Sequence, residues 1–133
     1  MINTLVLSPV NIFYIQSSKG LAGAVNTFNI LESKLTTLKG RKFYGVVYGK
    51  PPNETYWACV AKRDEKEVLD GCESGKIPGG KYIGKRVNDW EDNIPEIGKA
   101  FQELMTKVTL DYNRPFVEYY HGMNYMIARV PVV

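Results

Sequence analysis

Apolar residues along this chain change their spacing in a set order, and they do so twice. Asn11 to Ser17 is dense in β-branched and aromatic residues and predicts a strand. From Leu21 to Leu38 the apolar positions Val25, Phe28, Leu31 and Leu35 recur at three and four residues, which predicts an amphipathic helix stopped by Gly40. Phe43 to Tyr48 and Tyr56 to Ala61 follow as two strands, separated by Gly49-Lys50-Pro51-Pro52-Asn53, which no ladder can run through. The order then recurs. Lys81 to Val87 predicts a strand, and Ile97, Phe101, Leu104 and Val108 mark a helix reaching Thr109. Phe116 to His121 and Tyr125 to Val130 predict two more strands, joined by a turn over 121–124. Asn93-Ile94-Pro95-Glu96 reads as the entry of the second helix, with Asn93 as cap and Glu96 reaching back in a capping box.

Matching positions support reading the halves as copies. Tyr14-Ile15 answers Tyr82-Ile83, and Arg41-Lys42-Phe43 answers Arg114-Pro115-Phe116. Two copies are too few for a solenoid, so they form one fused domain spanning 1–133. The first copy covers about 11–61 and the second about 77–133, with a charged connector over 62–76. Two strand-helix-strand-strand (βαββ) units predict an α+β fold: a curved antiparallel sheet with both helices on one face and a cleft on the other, along a pseudo-twofold axis.

Composition narrows the function. Among 133 residues there are nine Tyr, five Phe and two Trp, an excess that suits either sheet packing or an aromatic-lined pocket. A net charge of +3, scattered without a basic stripe, argues against nucleic acid as a partner. The start, Met1 to Leu5, has neither a basic segment nor a cleavage site for export, and no apolar run reaches membrane-spanning length. Two isolated cysteines, Cys59 and Cys72, then fit a reducing cytoplasm. His121 is the sole histidine, so no metal or other cofactor is expected.

The chemistry concentrates where the copies differ. Gly45 in the first stands where Glu118 stands in the second, so one half removes a side chain and the other supplies a carboxylate. Strand alternation puts Phe116, Glu118 and Tyr120 on one face. Placing Phe13, Ile15, Ile83, Met126, Ala128 and Val130 under the helices leaves Tyr14, Tyr82, Tyr56 and Tyr125 to share the cleft with Glu118. Trp57 then falls on the helix side, but a one-residue slip would bring it into the cleft. Burial would raise the pKa of Glu118, and tyrosine hydroxyls would lower it. The simpler reading of Glu118 is a strand carboxylate paired with Arg86 or Arg129.

Ile77-Pro78-Gly79-Gly80-Lys81-Tyr82, Pro115-Phe116-Val117-Glu118-Tyr119-Tyr120 and the ending Arg129-Val130-Pro131-Val132 resemble the GyrI-like small-molecule-binding domain. That family comprises gyrase-inhibitor-like proteins and effector domains of AraC-type and MerR-type regulators. The resemblance runs from about Ile12 to Val133, more loosely in the first half, where Lys42 stands in place of the family's proline. It implies a ligand between the halves on aromatic walls with Glu118 near the centre: a hydrophobic, drug-like and often cationic molecule. It also implies an alternative, metal-independent hydrolysis of cyclopropane-bearing genotoxins, with Glu118 activating water and Tyr120 assisting. Gyrase inhibition is a third role in the family, and the mixed charges from Asp64 to Asp70 do not favour it.

Overall fold

The structure, a computed structural model, describes residues 2–50 and 52–133; Met1 and Pro51, the latter expected in the turn after the second strand, lie outside the described residues. Eight strands form one antiparallel sheet: β1 Ile2–Leu7, β2 Val10–Gln16, β3 Phe43–Tyr48, β4 Thr55–Ala61, β5 Glu73–Ile77, β6 Gly80–Asn88, β7 Phe116–His121 and β8 Tyr125–Pro131. Two helices, α1 Ala24–Ser33 and α2 Ile94–Met105, pack on one face. The curved α+β architecture is the one expected. No helix among the described residues is long and apolar enough to cross a membrane.

The strand order is β1-β6-β8-β7-β3-β4-β2-β5. It is symmetric about the β7–β3 pair: β6, β7 and β8 answer β2, β3 and β4. The edge strands were not foreseen. β5 takes up the end of the expected connector and the first residue of the second copy, and β1 precedes the first copy. They also exchange halves, since β1 pairs with β6 and β5 pairs with β2. The links entering β2 and β6 meet at Gly79, where an added Cβ would lie 2.6 Å from the Leu7 carbonyl oxygen. Only glycine admits so close an approach.

Both helices are shorter than the apolar spacing predicts. α1 begins after a 3₁₀ turn over Gly20–Gly23 and ends at Ser33, before Thr36 and Thr37; α2 ends before Thr106, Val108 and Thr109. β-Branched residues sustain helix poorly. Leu35 and Val108 nonetheless pack against the cores of their halves. Asn93 does not cap α2 with its side chain; its amide instead donates to the Asp89 carbonyl at 3.0 Å. That bond braces a left-handed turn at Asp89, whose φ is 48°.

The connector is anchored rather than simply solvated. Arg41 donates to both Glu67 oxygens and to the Ala61 carbonyl, and this contact holds the Glu67 carboxyl below its usual range.

Helix α1 packs on β2 and β4, and α2 packs on β6 and β8. Neither covers the central pair β3 and β7 to a comparable extent. The strip of sheet left between the helices, on the symmetry axis, has β3 and β7 as its floor and is called the furrow below.

Candidate functional site

The floor of the furrow is a register. Glu118 on β7 lies directly opposite Gly45 on β3 and Ala128 on β8, and Gly45 in turn lies opposite Ala58 on β4. Directly paired residues project to the same side of a sheet. The carboxylate thus stands in a row of small side chains, with room beside it. The two residues that differ between the copies meet face to face on the axis.

That room is used. Tyr56, two residues from Ala58 along β4, donates its hydroxyl to Glu118 Oε1 at 2.6 Å. Tyr120, two residues from Glu118 along β7, donates to the same oxygen at 2.9 Å. A Cβ on Gly45 would overlap both Oε1 and the Tyr56 hydroxyl. Among the described residues no donor reaches Oε2, and no basic side chain pairs with the carboxyl.

Glu118 is only 7 % exposed, almost wholly withdrawn from solvent. Burial raises its pKa above the ordinary carboxylate value, and the two tyrosine hydrogen bonds draw it part of the way back. Tyr56 and Tyr120 are pushed upward by burial and by the neighbouring carboxylate. Both phenols therefore remain protonated donors at any working pH.

The walls are aromatic. Phe28 of α1 meets Tyr56 and Tyr120 edge-on, with ring centroids 6.2 and 5.8 Å apart. Trp90, ahead of α2, lies 4.8 Å from Tyr120 and is fixed by a hydrogen bond from its indole to the Gly122 carbonyl. Phe116 stacks on Phe101 of α2 at 5.8 Å. Phe28, Phe116, Tyr120 and Trp90 are all only partly buried.

Of the residues expected at the site, Glu118, Gly45, Tyr56, Tyr120 and Phe116 come together. Their side of the sheet differs from the expectation. Phe116, Glu118 and Tyr120 share the helix face with Met126 and Ala128, because they pair with those residues across β7 and β8. Tyr14, Tyr82, Tyr125 and Trp57 project from the opposite face. Tyr14 stacks on Trp57 at 3.9 Å, and Trp57 meets Tyr48 edge-on. Tyr125 stacks on His121 at 4.6 Å beneath the Arg86 guanidinium. Tyr82 lines a separate hollow with Tyr44, Tyr119 and Arg129. Arg86 and Arg129, the simple pairing partners considered for Glu118, are on this far face.

Trp90 was missed. The signal available was an aromatic residue inside the polar segment Asn88-Asp89-Trp90-Glu91-Asp92, where a tryptophan has no reason to be unless it packs back.

No protein-family model and no curated protein matches the chain. Solved structures do. The EcmrR C-terminal domain aligns with all of this chain and 97% of its own, at 12% identity and a TM-score of 0.77. The integron cassette protein VCH_CASS2, from the mobile metagenome of Vibrio cholerae, covers 99% of this chain and 95% of its own, at 13% identity and a TM-score of 0.74. SAV2435 bound to tetraphenylphosphonium covers all of this chain and 94% of its own, at 9% identity and a TM-score of 0.69. The likeness is one of fold. It agrees with the GyrI-like resemblance read from the motifs, and at these identities it extends no further.

Proposed function

We propose that the chain binds a hydrophobic organic cation in the helix-face furrow, with Glu118 as its counter-charge. The observation that carries this reading is a buried carboxylate with one oxygen held by two phenols and, among the described residues, no donor to the other oxygen and no basic partner. An isolated buried charge is costly, and a ligand cation would compensate it. The surrounding rings suit the same ligand, since a cation over an aromatic face gains about 0.5–2 kcal/mol. That SAV2435, a protein of the same fold, binds tetraphenylphosphonium supports the choice of ligand class.

Bound cation would pull the Glu118 carboxyl back toward its ionised form, strengthening the acceptor role of Oε1 for both tyrosines. Walls of Phe, Tyr and Trp impose shape but few directional polar demands, which favours a range of apolar aromatic cations over one substrate.

Hydrolysis is the second reading, because a carboxyl with a raised pKa and an unoccupied oxygen could hold and deprotonate water. Titration of tetraphenylphosphonium followed by amide NMR shifts tests the first reading. One saturable cation per chain is expected, with the largest shifts at Phe28, Phe116, Tyr120 and Glu118. Shifts confined to the Tyr14–Trp57 face, or no saturable binding, would contradict it. Catalytic, Glu118-dependent decay of a cyclopropane-bearing alkylating agent, monitored in the same sample by its ultraviolet spectrum, would move the assignment to hydrolysis.

A further inference from the structure

The far face of the sheet carries a second constellation, of opposite charge. Arg129 on β8 lies between Val117 on β7 and Gly84 on β6, and all three belong to the side away from the helices. Gly84 has no side chain to compete for the space, and an added Cβ there would be 3.4 Å from Arg129 Cγ, so the arginine stem lies close over it. The guanidinium sits 5.1 Å from the centre of the Tyr119 ring. Tyr119 in turn leans against Tyr44, with centroids 5.2 Å apart.

Arg129 has no carboxylate within ion-pairing distance among the described residues. Its Nε is buried and has no hydrogen-bond partner among the described residues. The contrast with Arg114 is instructive: that side chain spends three nitrogens on Asp111, the Lys81 carbonyl and the Val132 carbonyl. Arg114 is a structural anchor. Arg129 is held by packing and by the face of Tyr119, donates no hydrogen bond to the described residues, and lies where burial already disfavours its charge. Leaving a partly desolvated guanidinium without a partner destabilises a fold unless something else supplies the partner.

Space for a partner exists beside it. Arg129 lines a hollow of about 270 Å³ together with Tyr44, Tyr82, Tyr119, Val117 and Ile77. Lys42 stands at its edge, and no Asp or Glu borders it. The Tyr82 hydroxyl is committed to the Pro78 carbonyl at 2.7 Å, whereas the hydroxyls of Tyr44 and Tyr119 have no protein partner among the described residues. The lining therefore offers a guanidinium, two phenol donors and an apolar floor, all suited to a small negative head on a flat apolar body.

We infer that this hollow binds a small aromatic carboxylate, with the Arg129 guanidinium as its counter-charge and Tyr44, Tyr82 and Tyr119 as its walls. The site is separate from the furrow, lies on the other side of the sheet and has the opposite charge preference. Its volume limits the ligand to about one fused bicyclic ring system with a carboxylate, below the size of typical drug pockets, which begin at about 300 Å³.

The test uses naphthalene-2-carboxylate and its neutral amide, titrated into the full chain and followed by calorimetry and amide NMR shifts. The carboxylate is expected to bind with its largest shifts at Val117, Tyr119 and Arg129, and the amide to bind at least about tenfold more weakly. Arg129→Met should lower carboxylate affinity by at least about tenfold and leave tetraphenylphosphonium binding unchanged, which separates a failure here from a failure of the furrow. Equal affinity for acid and amide, no saturable binding of the acid, shifts centred on the helix face, or an unaltered affinity in Arg129→Met would each overturn the inference. Should Arg129→Met fail to fold, the preference for acid over amide in the unaltered protein decides the matter.

Discussion

Glu118→Gln is expected to weaken tetraphenylphosphonium binding by at least about tenfold, or about 1.4 kcal/mol, while binding of neutral triphenylphosphine oxide changes by less than about twofold. Glutamine is nearly isosteric and keeps an oxygen that accepts the Tyr56 and Tyr120 hydroxyls, so the furrow keeps its shape and loses only its charge. The cation then enters a site that has been desolvated without compensation. The same substitution should stabilise the free protein at neutral pH. The Glu118 carboxyl has a folded pKa above its ordinary value of 4.5. A carboxyl raised in this way binds its proton more tightly when folded, so its contribution to stability is present below pH 4.5 and is lost as pH rises through the folded pKa. Glutamine has no proton to lose. Melting curves should show the variant gaining on the parent protein as pH rises above 4.5 through the folded pKa. Equal loss of affinity for the cation and the neutral ligand would show that Glu118 shapes the furrow rather than charging it.

Gly45→Val should cost the fold about 3 kcal/mol or more. The added Cβ would overlap Glu118 Oε1 and the Tyr56 hydroxyl and come within 2.9 Å of Tyr56 Cζ. Overpacking alone typically costs about 1–3 kcal/mol. Separating the tyrosine from a charged acceptor costs about 1.5–3 kcal/mol more. For a domain of this size each kcal/mol lowers the melting temperature by about 3–5 °C, so a fall of about 10 °C or more is expected. Glu118→Ala in the same chain should recover part of that loss, because it removes one of the two groups the valine meets, and contacting residues are not additive. A fall below about 3 °C, or strict additivity of the two substitutions, would mean that Gly45 is not the space that the carboxyl occupies.

Most of the sheet was legible because its inner strands carry dense β-branched and aromatic runs. Phe43–Tyr48 and Phe116–His121 coincide with the predicted bounds. The edge strands were not legible. Ile2–Leu7 is largely exposed, and Glu73–Ile77 mixes Glu, Ser, Gly and Lys, so neither displays a hydrophobic face. Edge strands are held by one ladder and need no such pattern. Glu118 and Gly45 were singled out by comparing the halves, and the structure sets them against one another. What the sequence could not supply was which face the β7 residues take relative to β2 and β6. Alternation orders side chains within a strand; the relation between strands depends on register, and one step reverses it. Tyr14, Tyr82 and Tyr125 share the expected cleft with Glu118 for that reason, and Trp57 is expected on the helix side unless its strand slips by one residue. Their actual face holds Arg129, which carries a different chemistry.

The shared hydrogen bonds also explain why the centre of the sheet holds only one carboxylate. Both phenols donate to Oε1, so a second carboxylate in the equivalent position of the first half would repel Glu118 at close range in a poorly solvated site. Glycine in that half avoids the repulsion and admits the side chain of the other.

The direct test of a cation-compensated carboxylate is the titration of Glu118 itself, followed by its ¹³C carboxyl resonance and assigned by its disappearance in Glu118→Gln. In the free protein the midpoint should lie above 4.5. Saturating tetraphenylphosphonium should move it downward, because a bound positive charge favours the ionised form. A midpoint at or below the ordinary value in the free protein, or one that the cation leaves in place, would contradict the account.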